Sequence, residues 1–243
     1  MKCLIIAAGQ GTRLRSKGDI KPLTPILGVP LIERVIHSTL EAGVSEFYIV
    51  TGYRSERISD FVDKLGDRLG IFIQTILNED WQKQNGISVL KAKEHLQEPF
   101  LLLMADHIFE PSIVSTLLEY PLAENEIALA VDRNIENSLI DLDDVTRVQT
   151  EGEKIQRIGK GLKDFNAFDT GVFFCTPAIF KALELSRNEY DNTSLSAAVQ
   201  ALADRGRAKA IDVSDRFWID VDTSADYQLA EDALLGKKLG CRV

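Results

Sequence analysis

Two glycines, an arginine and a lysine near the N-terminus have the types and spacing of a phosphate-binding loop. Gly9 and Gly11 follow a short apolar run and are separated by one residue. A backbone without Cβ atoms can turn tightly there and direct its amide N–H groups at an anion. Arg13 adds a planar fork of donors, and Lys21 adds a mobile point charge. The stretch therefore predicts a loop that binds phosphate groups.

Two well-known nucleotide-binding loops do not fit this stretch. A dinucleotide-binding turn needs a third glycine, and Leu14 stands in its place. A P-loop needs Gly-Lys-Ser/Thr after four intervening residues, and the loop lacks that tripeptide. A lone Gly-x-Gly would indicate only a surface turn beside two cations, so the wider pattern has to decide.

The wider pattern resembles the sugar-phosphate nucleotidyltransferases, which transfer a nucleotidyl group from a nucleoside triphosphate to a phosphate ester. Ala-Ala-Gly-x-Gly-Thr-Arg-Leu at 7–14 is followed at short range by Lys-Pro-Leu-x-Pro at 21–25. The resemblance implies that Arg13 and Lys21 hold the β- and γ-phosphates. It also implies that the triphosphate is wrapped by four loop residues, Ala8, Gly9, Gly11 and Thr12.

Aspartates at the ends of two apolar segments are candidate metal ligands. Asp106 ends the most apolar predicted strand, and the carboxyl ends of central parallel strands face the ligand crevice of such sheets. The resemblance implies that Asp106 binds Mg²⁺ with a second carboxylate from a Trp-x-Asp-x-x-Thr motif. Residues 218–223 match this motif, with Asp220 as the ligand and Asp222 in reserve. His107 is not a necessary part of the pattern.

A polar segment between a predicted strand and a predicted helix is the candidate base-binding site. Asn-Gly-Ile-Ser-Val-Leu at 85–90 resembles the base-binding segment of cytidylyltransferases more than those of uridylyl- or thymidylyltransferases. Gly86 is expected to leave space for a single ring against the backbone. An ordinary strand-to-helix loop is the alternative. The resemblance implies that the pyrimidine is read by Asn78, Asn85, Gly86 and Ser88.

The acceptor side is predicted from a lysine segment and a later strand, which the family places over the acceptor phosphate and its alcohol or sugar. Lys160 matches the lysine segment best, and Lys163 is its substitute. Asp169 is expected to hydrogen-bond to acceptor hydroxyls. The alternative interpretation is two surface lysines and a bulged strand.

These residues together predict phosphoryl transfer without a general base. A phosphate monoester is largely a dianion at neutral pH, because its second pKa is about 6. Its oxygen would attack the α-phosphorus of the triphosphate in line and release pyrophosphate. Mg²⁺ would be held by two carboxylates and the substrate phosphates, relieving repulsion between the two anions.

Within the family, the closest resemblance is to the cytidylyltransferases that make CDP-inositol from CTP and inositol-1-phosphate, a step of osmolyte biosynthesis. It rests on Asp-Ile-Lys-Pro-Leu at 19–23, the stretch at 85–90, Asp-Thr-Gly-Val-Phe at 169–173 and Asp-Val-Asp-Thr at 220–223. A nucleotidyltransferase for a sugar-1-phosphate or choline phosphate is the nearest alternative. A non-catalytic nucleotide-binding regulatory subunit is the second.

Composition limits the partners of the chain. Its net charge of −9 over 243 residues argues against a nucleic-acid binder, which normally has a basic face. No apolar run approaches the ~20 residues of a membrane span, and no secretory leader is visible, so we expect a cytoplasmic protein. The family enzyme is often fused to a membrane-embedded CDP-alcohol transferase, and such a fusion could begin at 237–243. The sequence leaves open whether the chain forms a homodimer.

The elements that must position these residues alternate between strand and helix. Strands are predicted at 2–8, 46–52 and 71–77, separated by helices at 31–42 and from residue 55 onward, which implies a parallel sheet. We therefore predict an α/β fold with a Rossmann-like mixed, mainly parallel sheet flanked by helices and a smaller acceptor-binding β appendage.

The predicted organisation is one nucleotidyltransferase domain over 1–243. Residues 1–132 form its nucleotide-binding part, and 133–243 form its acceptor-binding part with the second metal ligand. The acidic run at 134–153 is interpreted as a solvated loop, because charged runs of this kind usually are; it contains three clustered aspartates, Asp141, Asp143 and Asp144.

Overall fold

The computed structural model describes residues 1–240, without the side chains of Tyr190 and 237–240. Residues 241–243, part of the tail where a fusion was expected, lie outside the described residues. The helices of the described chain are α1 Leu31–Glu41, α2 Ser55–Leu69, α3 Gly86–Lys91, α4 Pro111–Glu119, α5 Ala178–Tyr190, α6 Leu195–Ala203 and α7 Ser224–Gly240. Across 1–240, we find no helix that combines the length and the apolar character needed to cross a bilayer.

Strands make up the centre of the molecule. Their bounds are β1 Lys2–Ala7, β2 Pro25–Ile26, β3 Val29–Pro30, β4 Glu46–Thr51, β5 Phe72–Leu77, β6 Phe100–Met104, β7 His107–Phe109, β8 Ile127–Asp132, β9 Arg147–Glu151, β10 Lys154–Gly159, β11 Ala167–Cys175, β12 Ala208–Asp212 and β13 Trp218–Asp220. Short 3₁₀ turns occupy Thr12–Leu14 and Lys21–Leu23.

Nine strands form one sheet in the order β5-β4-β1-β6-β11-β8-β12-β10-β9, and β9 also pairs with β11. Strands β5, β4, β1 and β6 are parallel, as are β8 and β12. Strand β11 runs antiparallel between β6 and β8. The predicted mixed α/β sheet is therefore confirmed. The sheet is continuous through both halves of the chain, because β11 is inserted beside β6.

Successive side chains of the strands pack alternately into two apolar layers, one on each face of the sheet. In β1, Cys3 and Ile5 pack on the face that carries α1, α2 and α4, whereas Leu4 packs on the face that carries α3, α5 and α6. This is the period-two pattern of a strand buried on both faces. A third apolar cluster lies beneath α7 and includes Leu14 and Ile219. It joins the segment after the glycine loop to β13.

One predicted loop contains a strand. The acidic run at 134–153 was interpreted as solvated, but its last third forms β9, which pairs antiparallel with β10 and with the start of β11. Val148 and Thr150 are buried on one face of β9 and alternate with more exposed neighbours. Strand β9 is stabilised by backbone hydrogen bonds to β10 and β11, which its polar sequence did not indicate.

Candidate active site

The glycine loop follows β1 and borders a cavity of about 330 Å³. Gly11 has a φ of 60°, and a Cβ atom at this position would lie 2.4 Å from the Cβ of Lys21. Glycine is thus required both by the turn and by the close approach of Lys21. Gly9, Gly11 and Thr12 line this cavity together with Arg13 and Lys21. The structure brings these five predicted residues together.

Ala8 has a different environment from the rest of the loop. It is 5% exposed, and its carbonyl accepts a hydrogen bond of 3.0 Å from the backbone N–H of Tyr53. Ala8 thus ties the loop to the segment after β4. Its contact with a triphosphate stays a prediction.

Lys21 is buried between two carboxylates. Only 6% of its side chain is exposed, and Nζ donates to Oδ2 of Asp106 at 2.6 Å and to Oδ1 of Asp222. Burial opposes the charge of the ammonium, but Asp106, Asp220 and Asp222 outweigh burial and raise the pKa of Lys21. Lys21 is therefore a fixed positive charge between the glycine loop and the end of β6.

Arg13 is half-exposed and lies on the other side of Asp222. Its Nη2 donates to Oδ2 of Asp222 and to Oδ2 of Asp144, each at 2.8 Å, and half of its side chain is exposed. The hydrogen bond to Asp144 raises the pKa of Arg13 further. Arg13 and Lys21 thus share Asp222, so both predicted phosphate-binding cations converge on one carboxylate.

A short antiparallel pair of strands brings the two predicted metal ligands together. In β7 and β13, His107 lies opposite Asp220, and the backbone N–H of Val221 donates to the carbonyl of Asp106 at 3.1 Å. Asp106 directly precedes β7, and Asp220 ends β13. Residues 114 apart in sequence therefore face one another across a two-stranded ladder.

His107 lies between these carboxylates, although the sequence pattern did not need it. Its Nδ1 is 2.8 Å from Oδ1 of Asp106 and 3.5 Å from Oδ1 of Asp220. Burial disfavours the imidazolium, but Asp220 and Asp106 raise the pKa of His107 to about 9. The ring stacks on Trp218, whose Nε1 donates to buried Asp132 at 2.9 Å. Asp132, Trp218 and His107 therefore form a support behind the acidic pair.

The donors around Asp220 fit a magnesium ion. Oδ1 of Asp220 is buried and has no hydrogen-bond partner among the described residues, although 35% of the side chain is exposed. Burial raises the pKa of Asp220 to about 7 against the opposing charge of His107. Single ligand atoms of Asp144, Asp220 and Asp222 lie within 4.8 Å of one another, as do those of Asp106, His107 and Asp220. Carboxylate oxygens are the ligands that Mg²⁺ prefers.

Asp222 is less available as a ligand than Asp220. Both of its oxygens already accept hydrogen bonds, one from Arg13 and one from Lys21. A cation on Asp222 would have to displace one of these charges, whereas Oδ1 of Asp220 displaces no hydrogen bond. The donor set therefore favours Asp220 over Asp222 as a metal ligand. Both oxygens of Asp106 are also engaged, with Lys21 and His107, so its role as the second ligand stays a prediction.

A second cavity, of about 210 Å³, lies on the other side of the acidic pair. Asp106, Asp220 and Asp222 line it together with two predicted acceptor residues, Lys160 and Asp169. Asp106 and Asp222 also line the cavity beside the glycine loop. The two cavities thus meet at the carboxylates, which is where a triphosphate and an acceptor phosphate would have to meet.

The predicted acceptor residues differ in their surroundings. Asp169 lies where β11 shifts its register against β8, and its Oδ1 accepts from the backbone N–H of Gly171 at 2.8 Å. Burial raises the pKa of Asp169 to about 6. Lys160 donates to Oδ1 of Asp144 at 2.6 Å. Lys163 is exposed and is not among the residues that line the cavity.

Two of the predicted base-reading side chains are engaged with each other. Asn78 is 1% exposed, and its Nδ2 donates to Oγ of Ser88 at 3.0 Å. Its Oδ1 accepts from the backbone N–H of Asp80 at 3.0 Å. These bonds hold the 78–88 segment in shape. Base reading by Asn78 and Ser88 stays a prediction, since reading with these atoms would require exchange of internal hydrogen bonds.

The expected open space at Gly86 is wrong. A Cβ atom there would lie 2.2 Å from the carbonyl oxygen of Thr193 and 2.3 Å from Cδ2 of Leu183. Glycine is needed because the start of α3 packs against the α5–α6 connection. Asn85 supports the same junction, with Oδ1 accepting from the backbone N–H of Leu195 at 2.8 Å. Asn85 also lines the acceptor-side cavity.

Two residues of the site were missed at the level of sequence. Asp144 lay in a run interpreted as solvated, yet it accepts hydrogen bonds from both Arg13 and Lys160. His107 was set aside although it contacts Asp106. Adjacency to Asp106 was a signal for His107. No sequence pattern indicated Asp144, because its partners are 131 and 16 residues away.

Comparison with known proteins identifies a family and several relatives. The model of the MobA-like NTP transferase domain matches residues 3–211. The "Bifunctional IPC transferase and DIPP synthase" of Rubrobacter xylanophilus is 34% identical over 235 residues, which cover 96% of this chain and 51% of that protein. The "Bifunctional protein GlmU" of Methanococcus maripaludis is 30% identical, with coverage of 98% and 55%. The chain thus spans about half the length of the curated relatives it matches.

Solved structures support the same fold. The inositol-1-phosphate CTP transferase from T. maritima superposes with a TM-score of 0.82, at 28% identity and with 95% of each chain covered. The chain therefore shares its fold with a solved transferase over nearly its whole length.

Proposed function

The chain belongs to the MobA-like NTP transferase domain family and is a nucleotidyltransferase, and we propose that it transfers a cytidylyl group from CTP to inositol-1-phosphate. The products would be CDP-inositol and pyrophosphate. One observation carries the proposal: two phosphate-directed cations, Arg13 and Lys21, and the carboxylates of Asp106 and Asp220 converge where the two cavities meet. The similarity to the T. maritima transferase supports the choice of substrates.

The glycine loop is assigned to the triphosphate. Backbone N–H groups of Gly9, Gly11 and Thr12 would donate to phosphate oxygens, while Arg13 and Lys21 neutralise charge that develops on the leaving pyrophosphate. Because Lys21 is fixed by two carboxylates, its charge needs no reorganisation when the triphosphate arrives. The loop thus aligns the α-phosphorus beside the acidic pair.

Asp106 and Asp220 are assigned to magnesium. The ion would be held by these carboxylates and by substrate phosphates, and when bound it supplies charge neutralisation between the two anionic substrates. His107 would keep Asp106 oriented through the hydrogen bond of 2.8 Å between Nδ1 and Oδ1. Oδ1 of Asp220 is buried and accepts no hydrogen bond from the described residues, which supports this assignment over Asp222.

The acceptor is assigned to the cavity of about 210 Å³. Lys160 would contact its phosphate, and Asp169 would accept hydrogen bonds from its hydroxyl groups. No proton has to be removed from the nucleophile, since a phosphate monoester with a second pKa of about 6 is largely a dianion at neutral pH. Alignment of two phosphates then carries the reaction.

Two features favour a polyol phosphate over choline phosphate. A quaternary ammonium is usually held by exposed aromatic faces. The aromatic side chains that line this cavity, Phe173 and Trp218, are each 1% exposed, whereas the carboxylate of Asp169 faces it. A sugar-1-phosphate offers the same hydroxyl chemistry and remains the second candidate.

The longer relatives extend the proposal to the whole protein. We infer that CDP-inositol is handed to a CDP-alcohol transferase embedded in a membrane, either fused to this domain or associated with it, because the relatives are named as bifunctional. A cytoplasmic location and a homodimer stay predictions. The retention of Arg13, Lys21, Asp106 and Asp220 in one cluster argues against a non-catalytic regulatory subunit.

A pyrophosphate-release screen tests the proposal. Four nucleoside triphosphates are combined with inositol-1-phosphate, glucose-1-phosphate, N-acetylglucosamine-1-phosphate and choline phosphate, with Mg²⁺ or with EDTA. We expect the highest kcat/KM for CTP with inositol-1-phosphate, with UTP at least about tenfold lower, since one mismatched buried polar group costs ~1–3 kcal/mol. Equal use of UTP would remove the cytidylyl assignment, and preference for a hexose phosphate would replace the acceptor.

A further inference from the structure

One carboxylate joins the two cations assigned to different substrates. Oδ2 of Asp144 accepts from Nη2 of Arg13 at 2.8 Å, and Oδ1 accepts from Nζ of Lys160 at 2.6 Å. Arg13 borders the cavity of the glycine loop, and Lys160 borders the acceptor cavity. Asp144, which itself lines the acceptor cavity, therefore connects one cation of each cavity through its two oxygens.

Asp144 is the least exposed member of this group of charges. The side chain of Asp144 is 22% exposed, compared with 50% for Arg13 and 58% for Lys160. Arg147 holds the surrounding turn in place, because its guanidinium donates to the carbonyls of Leu142 and Leu162 at 2.8 and 3.1 Å. The loop that carries Asp144 is thereby tied to the loop after β10. Asp144 therefore lies in a loop that is hydrogen-bonded close to it on both sides of the contact.

The geometry is that of an anion held by two basic groups. A carboxylate with one oxygen on an arginine and the other on a lysine satisfies the same donors that a phosphate would use. Arg13 and Lys160 donate to few described groups besides Asp144; Arg13 also donates to Asp222. A phosphate entering either cavity must share or take these donors from Asp144.

We propose that Asp144 is a built-in competitor of substrate phosphate, holding Arg13 and Lys160 in the free protein and releasing them when CTP and the acceptor bind. This inference rests on the proposed function, since it takes Arg13 and Lys160 as phosphate contacts. Asp144 acts through these cations and is a positioning residue. Because Asp144 competes for Arg13, the free protein should bind the triphosphate more weakly than it would without this carboxylate.

The test measures binding of CTP to the full chain by titration calorimetry in EDTA, where no metal contributes. Asp144→Asn keeps the size of the side chain and removes its charge. We expect the Kd for CTP to fall about three- to tenfold, the range of one or two exposed ion pairs. The gain should shrink as ionic strength rises, because salt screens the exposed pair. Asp144→Ser serves as a second variant if the asparagine protein folds poorly.

Two controls separate competition from a general loss of negative charge. Asp143→Asn removes one charge from the adjacent, exposed position and should change the Kd less than twofold. In an Arg13→Ala background, Asp144→Asn should no longer tighten CTP binding, because the donor in dispute is gone. Persistence of the gain in that background would show simple relief of repulsion and overturn the inference.

Each remaining outcome has one meaning. Unchanged or weaker CTP binding by Asp144→Asn overturns the inference and makes Asp144 a support for Arg13. If the wild-type protein turns over CTP while Asp144→Asn binds no tighter, the inference fails and the proposed function stands. If the wild type neither binds nor uses any of the four triphosphates, the proposed function itself fails.

Discussion

The nucleotide side and the acceptor side of the site are built in different ways. On the nucleotide side, the glycine loop follows a central strand directly, and Lys21 is locked with 6% of its side chain exposed. On the acceptor side, Asp144 and Lys160 project from surface loops, and 58% of Lys160 is exposed. The nucleotide side is therefore held by a buried cation between two carboxylates, whereas the acceptor side consists of more exposed side chains on surface loops. Substitutions should therefore lower activity most at the carboxylates where the two cavities meet and least at the exposed lysines.

The largest effects are expected at Asp106 and Asp220. Asp106→Ala and Asp220→Ala should each lower kcat/KM by ~10²-fold or more, because each removes charge assigned to the metal at the reacting phosphates. Pyrophosphate release at several Mg²⁺ concentrations measures this loss. Asp215→Ala, 84% exposed, is the matched control and should be near wild type. A severe Asp222→Ala combined with a mild Asp220→Ala would move the metal to Asp222.

The parts of the fold and of the site that could be predicted from the sequence are those formed by residues close together in the chain. Strands β1, β4, β5 and β6 were predictable because they are short apolar runs followed by turns, and Gly9 to Lys21 act within one stretch of chain. The contact between Asp106 and Asp220 could be predicted only through the family motif, since it depends on the β7–β13 register. The bonds of Asp144 had no sequence signal, and β9 was missed because four of its five side chains are polar.

A comparison of Lys21 with Arg13 sharpens the contrast between buried and exposed charge. Lys21→Ala leaves Asp106 and Asp222 facing one another without their shared cation. We expect a loss of about 1–3 kcal/mol in unfolding free energy, below that of a fully buried pair because the carboxylates are partly exposed. Arg13→Ala, whose side chain is half-exposed, should lose less than about 1 kcal/mol.

Urea unfolding at fixed ionic strength measures both variants without ligand. Both should also raise the KM for CTP, because both cations are assigned to the triphosphate. Equal stability losses for Lys21→Ala and Arg13→Ala would contradict the proposed difference between the buried and the exposed cation. If both variants raise the KM for CTP but do not differ in stability, Lys21 is as free to reorganise as Arg13.

Asp169 is a residue of the acceptor side whose carboxyl group is affected by burial. Its pKa is raised to about 6 by burial. A raised carboxyl pKa means that the folded state favours the protonated form. The contribution of Asp169 to the free energy of unfolding is therefore fully present below about pH 4 and is lost as the pH rises to about 6. Asp169→Asn keeps the bond to Gly171 without the charge. Its stability relative to wild type should rise by roughly 1–3 kcal/mol between these pH values and then level off.

Paired urea titrations of wild type and Asp169→Asn from pH 4 to 7 measure this difference. Asp164→Asn, on the exposed connection before β11, is the control and should show no such slope. A difference that stays flat over this range would place the Asp169 carboxyl in water. A difference of opposite slope would require a cation beside Asp169 that dominates burial.

The smallest effects are expected at the two lysines of the acceptor side, and they decide which one contacts the acceptor phosphate. Lys160 lines the cavity and donates to Asp144, whereas Lys163 is exposed and does not line it. Lys160→Ala should raise the KM for inositol-1-phosphate about three- to tenfold, the usual range for one exposed charge contact, and Lys163→Ala less than twofold. The KM for CTP serves as the internal control, because a structural defect would move both constants. If Lys163→Ala has the larger effect, the loop after β10 must rearrange around the acceptor, and the acceptor side is then shaped by its ligand.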